Sequence, residues 1–275
     1  MDGHVVDTDL RRAAVWPGLR AVLPAPDPRA VIIDAGGGSG GFAVPIAAAG
    51  HAVTVVDPSP DALAALRRRA AERGLAERIT AVQGDLGDLV GLVGAGRAQV
   101  LLCHSVLEVV DDPPSALAEA LRVLRPGGAL SLVVPGAAAA VVRHAVAGRV
   151  DEALAALLDE GPRPRGVPRR YSTAGIATLV RAAGAEVLEV HGVRIFADLV
   201  PAERRADPGA AERLLRLELA AARHPALRDL AAQLHVLARR PGPGPAPPSL
   251  SASSSLPSSV LSSSAPAGGS GAGGR

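Results

Sequence analysis

Residues 31–41, Val-Ile-Ile-Asp-Ala-Gly-Gly-Gly-Ser-Gly-Gly, constrain this chain more than any other stretch. The compact apolar run Val31–Asp34 stops at glycines, and Phe42–Ala49 then reads as a helix. Asp34-x-Gly36-x-Gly38-x-Gly40 therefore occupies a strand-to-helix turn. Glycines there let the backbone turn tightly and approach a ligand, because no Cβ stands in the way. A nucleotide-binding loop and a bare tight turn share this pattern, so the rest of the chain has to decide between them.

The following segments repeat the alternation. Val53–Val56, Ile79–Val82, Val100–His104 and Ala129–Val134 read as buried strands, with helices at Pro60–Arg73 and Pro114–Leu124 between them. In the first of these helices Leu63 and Leu66 face inward, while Arg67, Arg68 and Arg69 mostly face water. Strands alternating with helices predict a parallel, doubly wound α/β sheet. Further on, Thr173–Ala183 and Ala210–Ala222 read as helices, and Glu186–His191 and Leu234–Ala238 as strands. The domain is expected over residues 30–240, preceded by a helical lead-in over 1–29. From Pro241 to Arg275 the chain is Pro, Gly, Ser and Ala with little to bury, which predicts a disordered tail.

Composition excludes several chemistries. All 29 basic residues are arginine, so a P-loop, a Schiff-base enzyme and a Tyr-x-x-x-Lys dehydrogenase are ruled out. The single cysteine, Cys103, excludes an intramolecular disulfide and a multi-cysteine metal site, and no metal is expected. A formal charge of +2 is too small to argue for nucleic acid by itself. No apolar stretch is long enough for a membrane span, so a cytoplasmic protein is the default reading.

Two carboxylates extend the glycine-loop reading. Asp57 ends the second strand, where it can accept from two ribose hydroxyls of a bound nucleoside. Asp85, in Gln83-Gly84-Asp85, ends the third, where it could hold an adenine amino group or cap the next helix. The turn Leu124-Arg125-Pro126-Gly127-Gly128 before strand five resembles that of S-adenosylmethionine (SAM)-dependent methyltransferases. Against a nicotinamide oxidoreductase, which has a similar glycine loop, this turn favours SAM.

A narrower resemblance runs through residues 10 to 240. It is carried by Leu10-Arg11-x-Ala13-x-x-Trp16, Asp34-Ala-Gly-Gly-Gly38, Gly50-His51-x-Val53 and His104-x-Val106-Leu107-Glu108-x-Val110. Val146-Ala-Gly148, Gly192-Val-Arg194-x-Phe196 and His235-Val236-x-Ala238-Arg239 belong to it too. These motifs resemble the bacterial tRNA methyltransferases that esterify the carboxylate of 5-carboxymethoxyuridine at the wobble position. The resemblance implies a Rossmann-like, seven-stranded class I methyltransferase sheet with helices on both faces and a small lid insertion. It also implies SAM as cofactor, held by Arg11, Asp34, Gly36, Gly37, Gly38, Gly40, Asp57, Asp85, Leu86, Gly87 and His104. Where the family commonly carries Asn and His after strand five, this chain has Gly136-Ala137-Ala138.

Two residues are candidates for the reaction itself. Arg194 could hold an acceptor carboxylate by a bidentate fork, or make a plain salt bridge. His104 could be a general base for a hydroxyl or amine acceptor, or a hydrogen-bonding residue bordering the cofactor. His235, in an apolar run, reads as a satisfied core histidine. Arg163, Arg165, Arg169 and Arg170, beside Tyr171, could contact RNA phosphates or form a solvated loop. The acceptor stays open between a tRNA and a small metabolite under a lid, and a catalytically silent nucleotide-binding module is the third reading.

Overall fold

The computed structural model describes residues 3–27, 29–158, 167–205 and 207–242. Among the described residues, the eighteen α-helices and β-strands include every one expected, together with five helices that were not. The first half runs α1 (Gly3–Val22), β1 (Ile32–Ala35), α2 (Ala43–Ala48), β2 (Val53–Asp57), α3 (Pro60–Glu72), β3 (Ile79–Gln83), α4 (Leu89–Val93) and β4 (Ala98–His104). The second half runs α5 (Pro113–Leu121), β5 (Leu124–Pro135), α6 (Ala138–Val146), α7 (Val150–Leu158), α8 (Thr173–Ala182), β6 (Glu186–Val193), α9 (Ala202–Arg205), α10 (Ala210–Ala221), α11 (Pro225–Arg228) and β7 (Gln233–Arg239).

The strands form one seven-stranded sheet in the order β3-β2-β1-β4-β5-β7-β6. The first five are parallel, and β7 returns antiparallel between β5 and β6. Chain order reverses beside β1, so the C-terminal ends of β1 and β4 flank a crevice where ligands of such sheets bind.

Alternation along the strands sends side chains to two cores. Ile32, Val55, Val100 and Leu102 pack with Val15 and Leu19 of α1, Ile46 of α2 and Leu63 and Leu66 of α3. Ile33, Val56, Leu101 and Cys103 face the other way, against Leu89, Leu117, Leu121, Ile176 and Val180. Helices thus cover both faces, and the lead-in helix is part of the packing.

Helix starts follow local chemistry. Ser59 accepts from the Ala62 N–H at 3.2 Å ahead of Pro60, and Ser172 accepts from the Gly175 N–H at 3.0 Å. β5 is longer than expected and begins at Leu124. Its Arg-Pro-Gly-Gly segment bulges out of the pairing with β4, with Gly127 at φ of 77°, and is held to the chain after β7 because Gly127 N–H donates to the Arg240 carbonyl and Arg240 N–H to that of Gly128. Arg69 also departs from its expected solvent position and donates to the Ser39 carbonyl at 3.0 Å, behind the glycine turn. Helices α6 and α7 form the insertion between β5 and α8. The tail expectation falls, from residue 243 on, outside the described residues.

Candidate active site

The loop after β1 is fixed by its neighbours. Gly36 has φ of 70°, and a Cβ on it would lie 2.1 Å from Val106 Cγ2. Only glycine fits. Gly38 N–H donates to Asp57 Oδ2 at 2.8 Å, and Ser59 N–H to Oδ1 at 2.9 Å. Asp57, at the end of β2, therefore ties the glycine loop to the start of α3. Gly36, Gly37, Asp34, Arg11, Arg12, Gly41, Phe42 and His104 line a cavity of about 130 Å³ at this point.

The charged groups of that cavity are only partly satisfied. Asp34 is buried and its Oδ2 has no hydrogen-bond partner. Burial, with Asp57 adding repulsion, raises its pKa to about 7 against the opposing pull of the Ala43 N–H and Arg11. Arg11 reaches in from α1, and its Nη2 donates to Ser105 Oγ at 2.8 Å. Burial lowers its pKa, opposed by Glu108, with Arg194 lowering it further. A guanidinium and a buried carboxylate facing one cavity complement an amino-acid zwitterion.

His104, at the end of β4, stacks edge-on against Phe42 with ring centroids 4.5 Å apart. Its Nε2 lies 2.8 Å from Ser131 Oγ. Burial holds its pKa well below the ordinary histidine value, with His235 and Arg11 adding to the effect. The ring is neutral and a weak base at neutral pH. Cys103 beside it is buried, with its thiol pKa raised to about 12.

The remaining sequence candidates are spread more widely. Asp85 is exposed, and no side-chain hydrogen bond from it caps the turn that follows. Leu86 is buried beneath that turn and Gly87 is exposed. Gly40 has φ of 84° and sits over Leu66. Arg194 has φ of 58°, unusual for a residue with a Cβ, and its Nη2 pairs with Asp198 Oδ1. Its side chain lines a second cavity of about 210 Å³, together with Asp198, Arg143, Val142, Leu199 and Leu230. The plain salt bridge foreseen for Arg194 is thus present.

Among the loop arginines, Arg163 and Arg165 lie outside the described residues. Arg169 donates through Nη1 and Nη2 to the carbonyls of Val110 and Asp111, at 2.5 and 2.9 Å. It braces the loop after β4. Arg170 is exposed overall, but partial desolvation of its guanidinium, together with nearby Arg143, lowers its pKa. His235 is satisfied on one side only: Nε2 meets Ser131 Oγ at 2.9 Å, while Nδ1 is buried without a partner.

Ser105, Ser131, Phe42 and Arg143 were not singled out from sequence. Ser131 carried a usable signal, as the one polar residue in the run Leu130–Val134.

A profile described as a methyltransferase domain matches residues 33–132. The tRNA 5-carboxymethoxyuridine methyltransferase of Escherichia coli K12 is 30% identical over 233 residues, which is 84% of this chain and 88% of the relative. The chain belongs to the class I SAM-dependent methyltransferases, in that subfamily. An S-adenosylmethionine-dependent methyltransferase from Mesorhizobium loti superposes on this methyltransferase with a TM-score of 0.57 at 24% identity, covering 84% of this chain and 100% of that one. The [4+2]-cyclase SpnF superposes with 0.53 at 22% identity, covering 86% of this chain and 80% of its own. That a cyclase shares the fold shows why the acceptor must be argued from the site. The methyltransferase uses SAM. Among the described residues, no helix is long and apolar enough to cross a membrane, and no group of three or more His, Cys, Asp and Glu could hold a metal ion.

Proposed function

We propose that this methyltransferase esterifies the carboxylate of 5-carboxymethoxyuridine at the wobble position of tRNA, in the cytoplasm. The observation that carries the reading is the extent of similarity to the E. coli relative. It spans 233 residues and so extends well beyond the methyltransferase domain at 33–132.

The geometry supports a carboxylate. Bound SAM would supply an activated methyl group, carried on a sulfonium, to an acceptor oxygen. No proton moves when the acceptor is already anionic. The weakly basic His104 suits that chemistry, because burial makes it a poor proton acceptor. Catalysis then rests on holding two reactants about 3–3.5 Å apart.

In this reading Arg11 holds the cofactor carboxylate and Asp34 its ammonium, the groups for which the cavity has complementary charge. The backbone of Gly36, Gly37, Gly38 and Gly40 receives the cofactor closely. Asp57 takes the ribose hydroxyls, Asp85 the adenine amino group, and Leu86 and Gly87 border the ring. Arg194, at the 210 Å³ cavity, orients the acceptor carboxylate. Arg170, with Arg163 and Arg165, contacts RNA phosphates. Arg169 serves the same surface indirectly, by bracing the loop. Arg143 joins them, since neither it nor Arg170 has a carboxylate partner among the described residues.

A second reading, methylation of a small metabolite, is favoured by the apolar lining of the same cavity, which includes Val142, Val146, Ile195, Leu199 and Leu230. Transfer of radiolabelled methyl from SAM separates the two. Label in bulk tRNA supports the tRNA reading; label confined to a metabolite extract supports the other.

A further inference from the structure

Glu218, on α10, is 2% exposed, and its carboxylate is taken up by backbone donors. Oε2 accepts the Ile195 N–H at 2.7 Å, and Oε1 accepts those of Phe196 and Ala197, both at 2.8 Å. Three successive N–H groups that converge on one point suit an anion. Here the anion comes from a side chain 21 to 23 positions further along the chain.

The segment so held carries Arg194. β6 ends at Val193, paired with Gln233 of β7. Arg194 then turns with φ of 58°, and its carbonyl accepts the Ala232 N–H at 3.1 Å. Just before it, the Gly192 N–H donates to the carbonyl of Ala222, at the C-terminal end of α10, at 2.7 Å. Helix α10 thus grips the chain on both sides of Arg194, through Ala222 before it and Glu218 after it. A left-handed backbone at a residue with a Cβ persists where its neighbours over-determine it, as they do here. The turn closes with the Phe196 carbonyl accepting from Leu199 and Val200, at 2.8 and 3.0 Å. Arg194, Ile195, Asp198 and Leu199 all line the 210 Å³ cavity, so the conformation of this one turn decides where the guanidinium stands in it.

The cofactor cavity is supported separately. None of the described residues lining it belongs to the turn. Arg11 is held by Ser105, and Val15 and Leu19 anchor its helix in a different part of the core. Loosening the turn should therefore disturb the acceptor side and spare SAM. A carboxylate is needed to hold the turn: a glutamine offers one oxygen and turns an NH₂ toward the donors, so at least one buried N–H loses its acceptor.

We propose that Glu218 is a positioning residue for the methyl acceptor. By gathering the N–H groups of residues 195–197 it fixes Arg194 in the pose that meets the acceptor. This inference rests on Arg194 as the acceptor's ligand and holds for a tRNA and a metabolite alike.

Hydrogen exchange in the wild-type full chain, read by NMR, tests the grip. The amides of Ile195, Phe196 and Ala197 should exchange as slowly as those of β7. Exchange as fast as an exposed loop would overturn the proposal without any variant having to fold. Glu218→Gln is then assayed with whichever acceptor the wild type labels, tRNA bearing 5-carboxymethoxyuridine or the metabolite extract. Its apparent KM for that acceptor should rise about tenfold, the scale of one buried donor left unpaired, while the calorimetric SAM dissociation constant stays unchanged. Added to Arg194→Gln, it should cause little further loss, since both changes act through one contact. Losses that multiply, SAM affinity that falls as far as acceptor affinity, or a folded Glu218→Gln protein with unchanged KM would overturn the proposal. Full activity in Arg194→Gln would instead overturn the reading of Arg194 beneath it, a failure visible with Glu218 untouched.

Discussion

The Arg11 guanidinium donates to the Ser105 hydroxyl at 2.8 Å, and this bond joins the N-terminal helix to the end of β4. Ser105 has φ of 60°, a left-handed conformation that carries strain for a residue with a Cβ. The pair fixes Arg11 at the edge of the cofactor cavity before any ligand arrives. Arg11→Gln is expected to raise the SAM dissociation constant by roughly 10- to 100-fold, the range for losing a charge-assisted hydrogen bond. Calorimetry checks this. Val15 and Leu19 still anchor α1, so its far-ultraviolet circular dichroism should be unchanged.

Asp34 predicts a pH dependence of cofactor binding. Its carboxyl has a pKa of about 7 in the free protein, so at pH 6 most molecules carry a proton there. A bound ammonium favours the carboxylate, so binding lowers this pKa and releases a proton. SAM affinity should rise between pH 6 and 8. The apparent binding enthalpy at pH 6.5 should vary with the ionisation enthalpy of the buffer. Asp34→Asn should bind more weakly and abolish that buffer dependence; a buffer-independent wild type would count against the assignment.

The buried histidines predict acid sensitivity. The folded pKa of His235 is about 3, below the ordinary value of 6.5, so between these pH values the unfolded chain binds more protons than the folded one. Stability from this source is intact above pH 6.5 and falls as pH drops toward 3. The full effect is on the order of 4–5 kcal/mol. Urea midpoints followed from pH 7.5 to 4.5 should decline, and His235→Gln should decline less steeply.

Gly36→Ala should destabilise the fold and lose SAM binding together. The added methyl lies 2.1 Å from Val106 Cγ2, and φ of 70° disfavours alanine by about 1–2 kcal/mol before that clash. Gly41→Ala in the same loop meets nothing within 4 Å and should keep its thermal midpoint, which separates the clash from loss of glycine as such.

Neutralising the exposed arginines beside the acceptor cavity tests RNA contact. Arg143→Gln combined with Arg170→Gln should weaken binding of unmodified tRNA and reduce the slope of log K against log salt by about 1.4–1.8, that is about 0.7–0.9 per arginine. Fluorescence anisotropy across a salt series measures the slope. An unchanged slope removes these two residues from the RNA surface.

The sheet was legible because its signals are local. Buried strands such as Val53–Asp57 are short β-branched runs, and helices such as Pro60–Glu72 carry an apolar stripe of the right period. The glycine loop was legible for the same reason: φ of 70° at Gly36 leaves a compositional trace. Helices α6 and α7 were read only as part of a lid region, because exposed Val146, Val150 and Leu157 blur the amphipathic pattern there. Pairings across the fold were not legible. Asp198 lies only four residues from Arg194, yet nothing in the sequence favours that partner over a substrate. Ser131 and His235 are 104 positions apart and meet only because β7 returns beside β5. Arg169 read as a phosphate ligand or part of a solvated loop, since the carbonyls of Val110 and Asp111 that take its donors leave no mark in the sequence.

The most direct test of the central claim is methyl transfer from radiolabelled SAM to tRNA bearing 5-carboxymethoxyuridine, followed by mild alkali. The account predicts label in the tRNA that alkali releases as methanol, the signature of a methyl ester. Label that stays on the nucleoside through alkali, or tRNA without label while a metabolite extract is methylated, would contradict it.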